Sequence, residues 1–403
     1  MARAKLLLII IAAELAALPA LCRAQSGFVH VNGKELAGAD GKPLKLRGIN
    51  LGNWFLPEGY MFRFDHGPSS AREIDALFRD IAGPDLTDRF WREWRDSYIS
   101  EKDIQLIRDA GFNSVRIPLH HALFVEKGDG FAILDRAIRW CRQAGLLVIL
   151  DLHAAPYGQT GSNIDDSWGY PWLFESKEGQ QQTVALWRRI AARYANEPAV
   201  LGYDLLNEPI PQFAYLQKYN AALEPLYKRI VAAIREVDRN HIVILGGAQW
   251  DTNFTVFGPP FDSNAMYTFH KYWMEPTRAA IQPYLDFRDR YNAPVWLGES
   301  GENTDEWIAQ FRRLLEENGI GWCFWPYKKM DQSSSVVTFA RPVYWDEVVD
   351  YAKLPGGVGE LDKRPKARPS LEHAQAALAD LLKQIRFENH RVNDGYLKAL
   401  GLR

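Results

Sequence analysis

Leu201-Gly202-Tyr203-Asp204-Leu205-Leu206-Asn207-Glu208-Pro209 is the stretch whose reading decides the fold. Its mainly apolar run up to Leu206 suits a strand buried on both faces. Polarity then switches abruptly to Asn207 and Glu208. Pro209, which has no N–H to give to a sheet, predicts that the strand ends there. A carboxylate with an amide beside it is thus parked where a buried strand stops. In a barrel of alternating strands and helices, that is the end where chemistry is done.

The same pattern recurs on either side. Helices over 101–110, 133–144, 180–195, 214–237, 277–291, 305–317 and 371–385 alternate with apolar strands. The strands cover 44–50, 114–118, 147–152, 200–206, 242–245, 265–269, 295–297 and 321–325. Helix stops at Gly111, Gly145 and Gly319 and near-continuous apolar strands are what a parallel sheet with crossover helices requires. About eight strands is the number of the closed (β/α)8 TIM barrel. An open doubly wound sheet is the alternative, and no glycine-rich phosphate turn follows any strand to support it. Phe28-Val29-His30-Val31, with turns at Asn32-Gly33 and Asp40-Gly41, predicts an N-terminal β-hairpin plugging the barrel. Residues 51–64, rich in Gly and aromatics, predict a long loop over a strand end. Residues 57–98 form an insertion with helices over 73–80 and 88–98. Residues 354–370 read as an excursion, and 387–403 as a C-terminal strap.

With 403 residues and a formal net charge of −2, the chain supports one large core and gives no reason to expect nucleic acid as a partner. Its 14 Trp exceed ordinary usage, and rings near strand ends are what a sugar cleft needs, because a flat ring stacks on the apolar face of a pyranose. Arg3 and Lys5 precede an apolar run, and Cys22-Arg23-Ala24 predicts a signal-peptide cut before Gln25. Residues 1–24 are therefore expected to be a signal peptide and 25–403 the exported domain, periplasmic or extracellular. The run is short for a membrane span and is interrupted by Glu14, so no stable membrane insertion is expected. Cys141 and Cys323 read as inert buried thiols, and no His/Cys spacing resembles a zinc site.

Chemistry-bearing residues gather at the strand ends. They are Arg116, Asp151-Leu152-His153, Asn207-Glu208, His270-Lys271-Tyr272-Trp273, Gly298-Glu299-Ser300 and Phe324-Trp325-Pro326. Any one alone is ordinary; together they put a polar or aromatic group at the same end of most strands, which a core does not need. Glu208 and Glu299 end strands four and seven. Two carboxylates facing one cleft invite one to be neutral and one charged. At about 5–5.5 Å apart they would cleave a glycoside with retention.

On these residues the chain resembles glycoside hydrolase family 5, the cellulase-type retaining β-glycosidases on a (β/α)8 barrel. The family's pattern of Arg, His, Asn-Glu, His-x-Tyr, Glu and Trp at successive strand ends is met by Arg116, His153, Asn207-Glu208, His270 with Tyr272, Glu299 and Trp325. The resemblance implies Glu208 as general acid and base and Glu299 as nucleophile. It implies that Tyr272 and Arg116 hold Glu299 charged, and that Asn207 bonds the sugar 2-hydroxyl. His153 would contact the sugar, His270 would tune Glu208, and Trp325 would be the sugar platform. No metal or cofactor is implied. Leu46-Arg47-Gly48-Ile49-Asn50-Leu51-Gly52-Asn53-Trp54 is similar to the opening of the exo-β-1,3-glucanase branch, as is the segment from Leu150 to Pro156 with Gly158-Gln159-Thr160-Gly161. The segments Ile117 to His121 and Asn163 to Trp168 depart from that branch and leave the substrate open.

Trp54, Trp168 and Trp273 are expected as further sugar-binding rings, with Tyr170, Trp172 and Trp250 as other candidates. Asp165, Asp166 and Glu302 are candidates at outer subsites. The expected partner is a β-linked oligo- or polysaccharide, met by a monomer acting in exo mode. An endo-β-1,4-glucanase or mannanase, and a binding barrel that has lost catalysis, are the alternatives. An isomerase or aldolase would want a Schiff-base lysine, for which Lys271 is the one candidate at a strand end.

Overall fold

The computed structural model describes residues 27–125, 128–354 and 368–403. Residues 1–24, where the signal peptide is expected, and most of the 354–370 excursion lie outside them. Eight parallel strands close into a barrel: β1 (Arg47–Asn50), β2 (Ser114–His120), β3 (Leu147–Ala154), β4 (Val200–Asp204), β5 (Ile242–Gly246), β6 (Ala265–His270), β7 (Val295–Glu299) and β8 (Gly321–Phe324), with β8 pairing back onto β1. This is the expected (β/α)8 barrel. Among the described residues, no helix is long and apolar enough to cross a membrane.

Most strand ends lie within two residues of the sequence expectation, and two boundaries differ in how the chain is routed. The run 44–50 is split. Pro43–Leu44 joins the N-terminal hairpin, His30–Asn32 with Glu35–Ala37, in an antiparallel three-stranded sheet, and only Arg47–Asn50 enters the barrel. Pro43 lacks an N–H and suits that outer strand. Val29, Leu36 and Leu46 pack on Ile149, Leu201, Ile242, Ile244, Met266 and Trp296, so the hairpin plugs the barrel floor. At the other boundary, β4 ends at Asp204, before Leu206 and Pro209. Leu205 N–H still bonds Ile244 on β5, but Asn207 N–H turns to Leu152 on β3. The backbone leaves the ladder while its apolar side chains stay buried, which residue polarity cannot reveal.

The insertion holds helices α1 (Ala71–Ala82) and α2 (Pro84–Ser97). Ser70 caps α1 in a reciprocal box with Glu73, satisfying two orphan donors. Most aromatics of the 51–64 loop turn inward, away from the cavity, whereas Tyr60 lines it. Phe62 stacks on Trp94 and Phe64 on Trp345, while Trp94 Nε1 donates to Asn53 O and Trp345 Nε1 to Phe62 O. Trp54, expected as a sugar-binding ring, is corrected by this packing. It is buried, stacked on Phe55 at 4.5 Å, and donates from Nε1 to Arg95 O on α2. An aromatic run after a strand end does not say which face its rings take.

Truncating a core Trp loses a large buried surface and leaves a cavity. Trp54→Ala is expected to cost about 3–5 kcal/mol in urea unfolding. A cost under about 1 kcal/mol, with sugar affinity lost, would return the ring to the cleft.

Candidate active site

Arg116, fully buried on β2, organises the mouth of the barrel. Its Nε donates to Asp204 Oδ2 at 2.9 Å, Nη2 to Asn207 Oδ1 at 2.9 Å and Nη1 to Asn50 Oδ1 at 3.0 Å. Nη1 also donates to Glu299 Oε1, and Nη2 lies 3.1 Å from Asp151 Oδ1. Three carboxyls face one guanidinium. Burial pushes Asp151 and Asp204 up to about 7, against the pull of Arg116.

The amide orientation of Asn207 follows from this network. Its oxygen accepts from Arg116, so its Nδ2 donates to His153 Nε2 at 3.2 Å. His153 must then carry its proton on Nδ1, which donates to Asp151 Oδ2 at 2.7 Å. Burial, aided by Arg116, lowers His153 to about 4, in keeping with that neutral tautomer.

Glu299 lies where the register of β7 against β6 shifts, between Leu297 and Glu299, a bulge that re-aims the side chain. Gly298 permits this, since a Cβ there would sit 2.3 Å from Thr268 Oγ1. Besides Arg116, Glu299 accepts from Tyr272 Oη at 3.1 Å. Glu208 takes a left-handed φ of 46°, strained for a residue with a side chain, and the surroundings hold it there. Its N–H donates to Asp251 Oδ2 at 3.2 Å and its C=O accepts from Thr160 Oγ1 at 2.8 Å. Gln159 Nε2 donates to Asn207 O at 2.8 Å and to His153 O at 2.7 Å. The Gln159-Thr160 pair noted in the sequence therefore braces the catalytic loop.

His270 Nδ1 lies 2.9 Å from Glu208 Oε1, and one oxygen of each glutamate lies with a His270 nitrogen within 4.8 Å of one another. Burial pushes Glu208 well above the usual carboxyl range, and Glu299 and Glu58 push it further. Burial also raises Glu299, but Arg116 pulls it back. His270 is held neutral by burial, then by Arg116. The arrangement favours a protonated Glu208 facing an ionised Glu299. The oxygens and nitrogens that converge here, Asp151/His153/Glu299 and Glu208/His270/Glu299, are already engaged by Arg116, Tyr272 and one another.

The model of the cellulase family, glycosyl hydrolase family 5, matches residues 77–331, more than half of the chain. The chain belongs to glycosyl hydrolase family 5. It is a glycoside hydrolase. Over 401 residues it is 26% identical to a beta-xylosidase of Phanerodontia chrysosporium, covering 89% of this chain and 82% of that relative. It is 27% identical over 311 residues to endoglucanase C of Acetivibrio thermocellus, covering 60% and 88%. It is 31% identical over 210 residues to a probable glucan 1,3-beta-glucosidase A of Aspergillus fumigatus, covering 50% and 49%. Among solved structures, an endogalactoceramidase superposes with TM-score 0.59 at 19% identity over 93% of this chain and 84% of that one, a likeness of fold.

The family 5 cleft is a cavity of about 680 Å3. Asn207, Glu208, Glu299, His153, His270, Tyr272, Trp273 and Trp325 line it. Trp325 lies nearly parallel to His153 at 5.7 Å. Gly52 makes room for that ring, since a Cβ there would sit 2.3 Å from it. Trp273, 73% exposed, lines the wall and donates from Nε1 to Glu302 O; Trp250 also lines it. Trp168 is not among the lining residues. It is 79% exposed, with the Arg72 guanidinium 3.8 Å over its ring, which corrects the sequence expectation. Asp165 and Asp166 are corrected too. Asp165 accepts the N–H groups of Thr160, Gly161 and Ser167, and Asp166 pairs with Arg72 and His120, so both shape the loop.

Sequence reasoning missed Glu58, Tyr60 and Asp251. Glu58, buried and cavity-lining, is pushed up to about 8 by burial and then by Glu299 and Glu302, so it is a neutral carboxyl at pH 7. The available signal was a lone acid inside an aromatic loop. Cys141 and Cys323 are buried free thiols.

Arg116→Met would strand Asp151, Asp204 and Glu299 without their cation. It is expected to destabilise the fold by about 3–5 kcal/mol in denaturant unfolding and to abolish turnover. Unchanged stability would mean that the carboxyls are satisfied without Arg116.

Proposed function

We propose that the chain is an exported, retaining β-glycosidase that removes terminal sugars from β-glucan-type oligosaccharides by double displacement. The observation that carries this is the pair of oxygens of Glu208 and Glu299 within 4.8 Å of each other. Oxygens that near fit the about 5–5.5 Å carboxyl spacing of retaining enzymes better than the about 6.5–9.5 Å of inverting ones. Glu299, beside Arg116 and Tyr272, attacks the anomeric carbon as Glu208 gives its proton to the leaving oxygen. Glu208 then takes a proton from water, which releases the sugar from Glu299. The free hydrogen of Asn207 Nδ2 meets the sugar 2-hydroxyl, His153 touches the same sugar, and Trp325 and Trp273 are its platforms. The exo mode draws support from the beta-xylosidase that aligns over most of both chains. The endoglucanase relative favours the second reading, internal cleavage of a β-1,4-glucan.

Proton NMR of the enzyme digesting laminari- and cello-oligosaccharides side by side tests the proposal. Release of the β-monosaccharide first is expected. The α-anomer first would overturn retention, and oligosaccharides without monosaccharide would favour the endo reading. Export predicts a secreted form that begins at Gln25; a form that begins at Met1 would contradict it.

The charge states set the pH profile. Activity needs Glu208 protonated, so the rate falls on the alkaline side as Glu208, its carboxyl raised by burial, loses its proton. The rate falls on the acid side as Glu299 gains one. With a nitrophenyl leaving group that needs no acid, Glu208→Gln is expected to flatten the alkaline limb of the glycosylation step. A limb that persisted would move the acid role elsewhere.

A further inference from the structure

Beyond the catalytic carboxyls, one ion pair at the cavity wall has no part in the mechanism above. Lys329 Nζ donates to Glu302 Oε2 and to Ser334 Oγ at 3.2 Å, with the two paired side chains 2% and 16% exposed. Glu302 holds a left-handed φ of 52°. Tyr60 stands between this pair and the Trp325 ring. Its Oη accepts from Trp325 Nε1 at 2.6 Å. The Lys329 ammonium sits 5.5 Å from the centre of the Tyr60 ring. On its other side, the Glu302 carbonyl accepts from Trp273 Nε1 at 3.2 Å. The pair thus adjoins two of the three cavity-wall tryptophans, Trp273 through the Glu302 carbonyl and Trp325 through Tyr60.

The strand that carries Lys329 is itself fastened. Lys328–Met330 pairs with Val337–Phe339, which pairs with Arg391–Val392 of the C-terminal tail. Buried Lys328 donates to Ile385 O at 2.9 Å and lies 3.5 Å from Asp103 Oδ1. His390 Nδ1 is 3.4 Å from the same oxygen. The tail locks the strand, and the strand presents Lys329.

We infer that the Glu302–Lys329 pair is a positioning device that fixes the Trp325 ring through Tyr60 and so sets how firmly the sugar is held at the cleavage point. A buried pair costs desolvation and is weak evidence for stability by itself. Here Glu302 holds the Lys329 ammonium over the Tyr60 ring, whose hydroxyl takes the Trp325 N–H. A ring free to rotate loses stacking with the sugar without changing the charges of Glu208 or Glu299. The effect should fall on binding and leave the chemical step nearly intact.

The inference rests on Trp325 as a sugar platform, as proposed above, and not on linkage or exo action. The test compares Glu302→Gln, Lys329→Met, Trp325→Ala and the Glu302→Gln/Trp325→Ala double variant. The substrate is the 4-nitrophenyl β-glycoside that the wild type cleaves fastest. Glu302→Gln and Lys329→Met are each expected to raise KM about tenfold, with kcat within about threefold and both pH limbs in place. In the Trp325→Ala background, Glu302→Gln should add less than about twofold, because the ring it positions is gone. Lys329→Arg should restore most of the affinity. A full additional penalty in the double variant would overturn the proposal. So would a shifted pH limb, or a lowered melting temperature with unchanged kinetics. A wild-type KM for Trp325→Ala would instead show that the platform assignment has failed.

Discussion

The guanidinium of Arg116 is the interaction on which the rest depends. Its bonds reach Asn50 at the end of β1, Asp151 on β3, Asp204 and Asn207 at and beyond the end of β4, and Glu299 on β7. A buried, permanently charged fork with five donors can be tolerated only where acceptors surround it. Here those acceptors belong to four barrel strands or their ends. Closure of the barrel mouth and the charge of Glu299 are therefore one constraint. The same cation fixes which way Asn207 faces and, through it, which nitrogen of His153 carries hydrogen.

Against that centre, the two glutamates are set apart by their neighbours. Glu299 has a cation and a phenol beside it, while Glu208 has a neutral imidazole and an overlying strained loop. Environment separates an acid from a nucleophile even though both are the same residue type. The strain at Glu208 is held by Asp251, Thr160 and Gln159, none of which is itself an acid or a nucleophile in the proposed reaction.

The barrel was legible because eight apolar runs alternate with helices, several of which stop at glycine, and most runs end in a chemically distinctive residue. Arg116, His153, Asn207, Glu208, His270, Tyr272, Glu299 and Trp325 sit at one mouth for that reason. What eluded the sequence lies in loops. Trp54 and Trp273 both follow strand ends, yet one turns into the insertion helices and the other onto the cavity wall, a choice made by tertiary packing. Asp204 looked like an interruption in an apolar strand and is a partner of Arg116. Glu58 and the Glu302–Lys329 pair belong to loops with no period to read, and only closure of the barrel brings them together.

The most direct test of the central claim is covalent trapping. A 2-deoxy-2-fluoro β-glycoside with a good leaving group slows release of the glycosyl-enzyme, so peptide mass spectrometry can locate the sugar. The account predicts one added glycosyl unit, on the peptide that contains Glu299 and on that side chain. A sugar attached to Glu208, or to any residue other than Glu299, would contradict it.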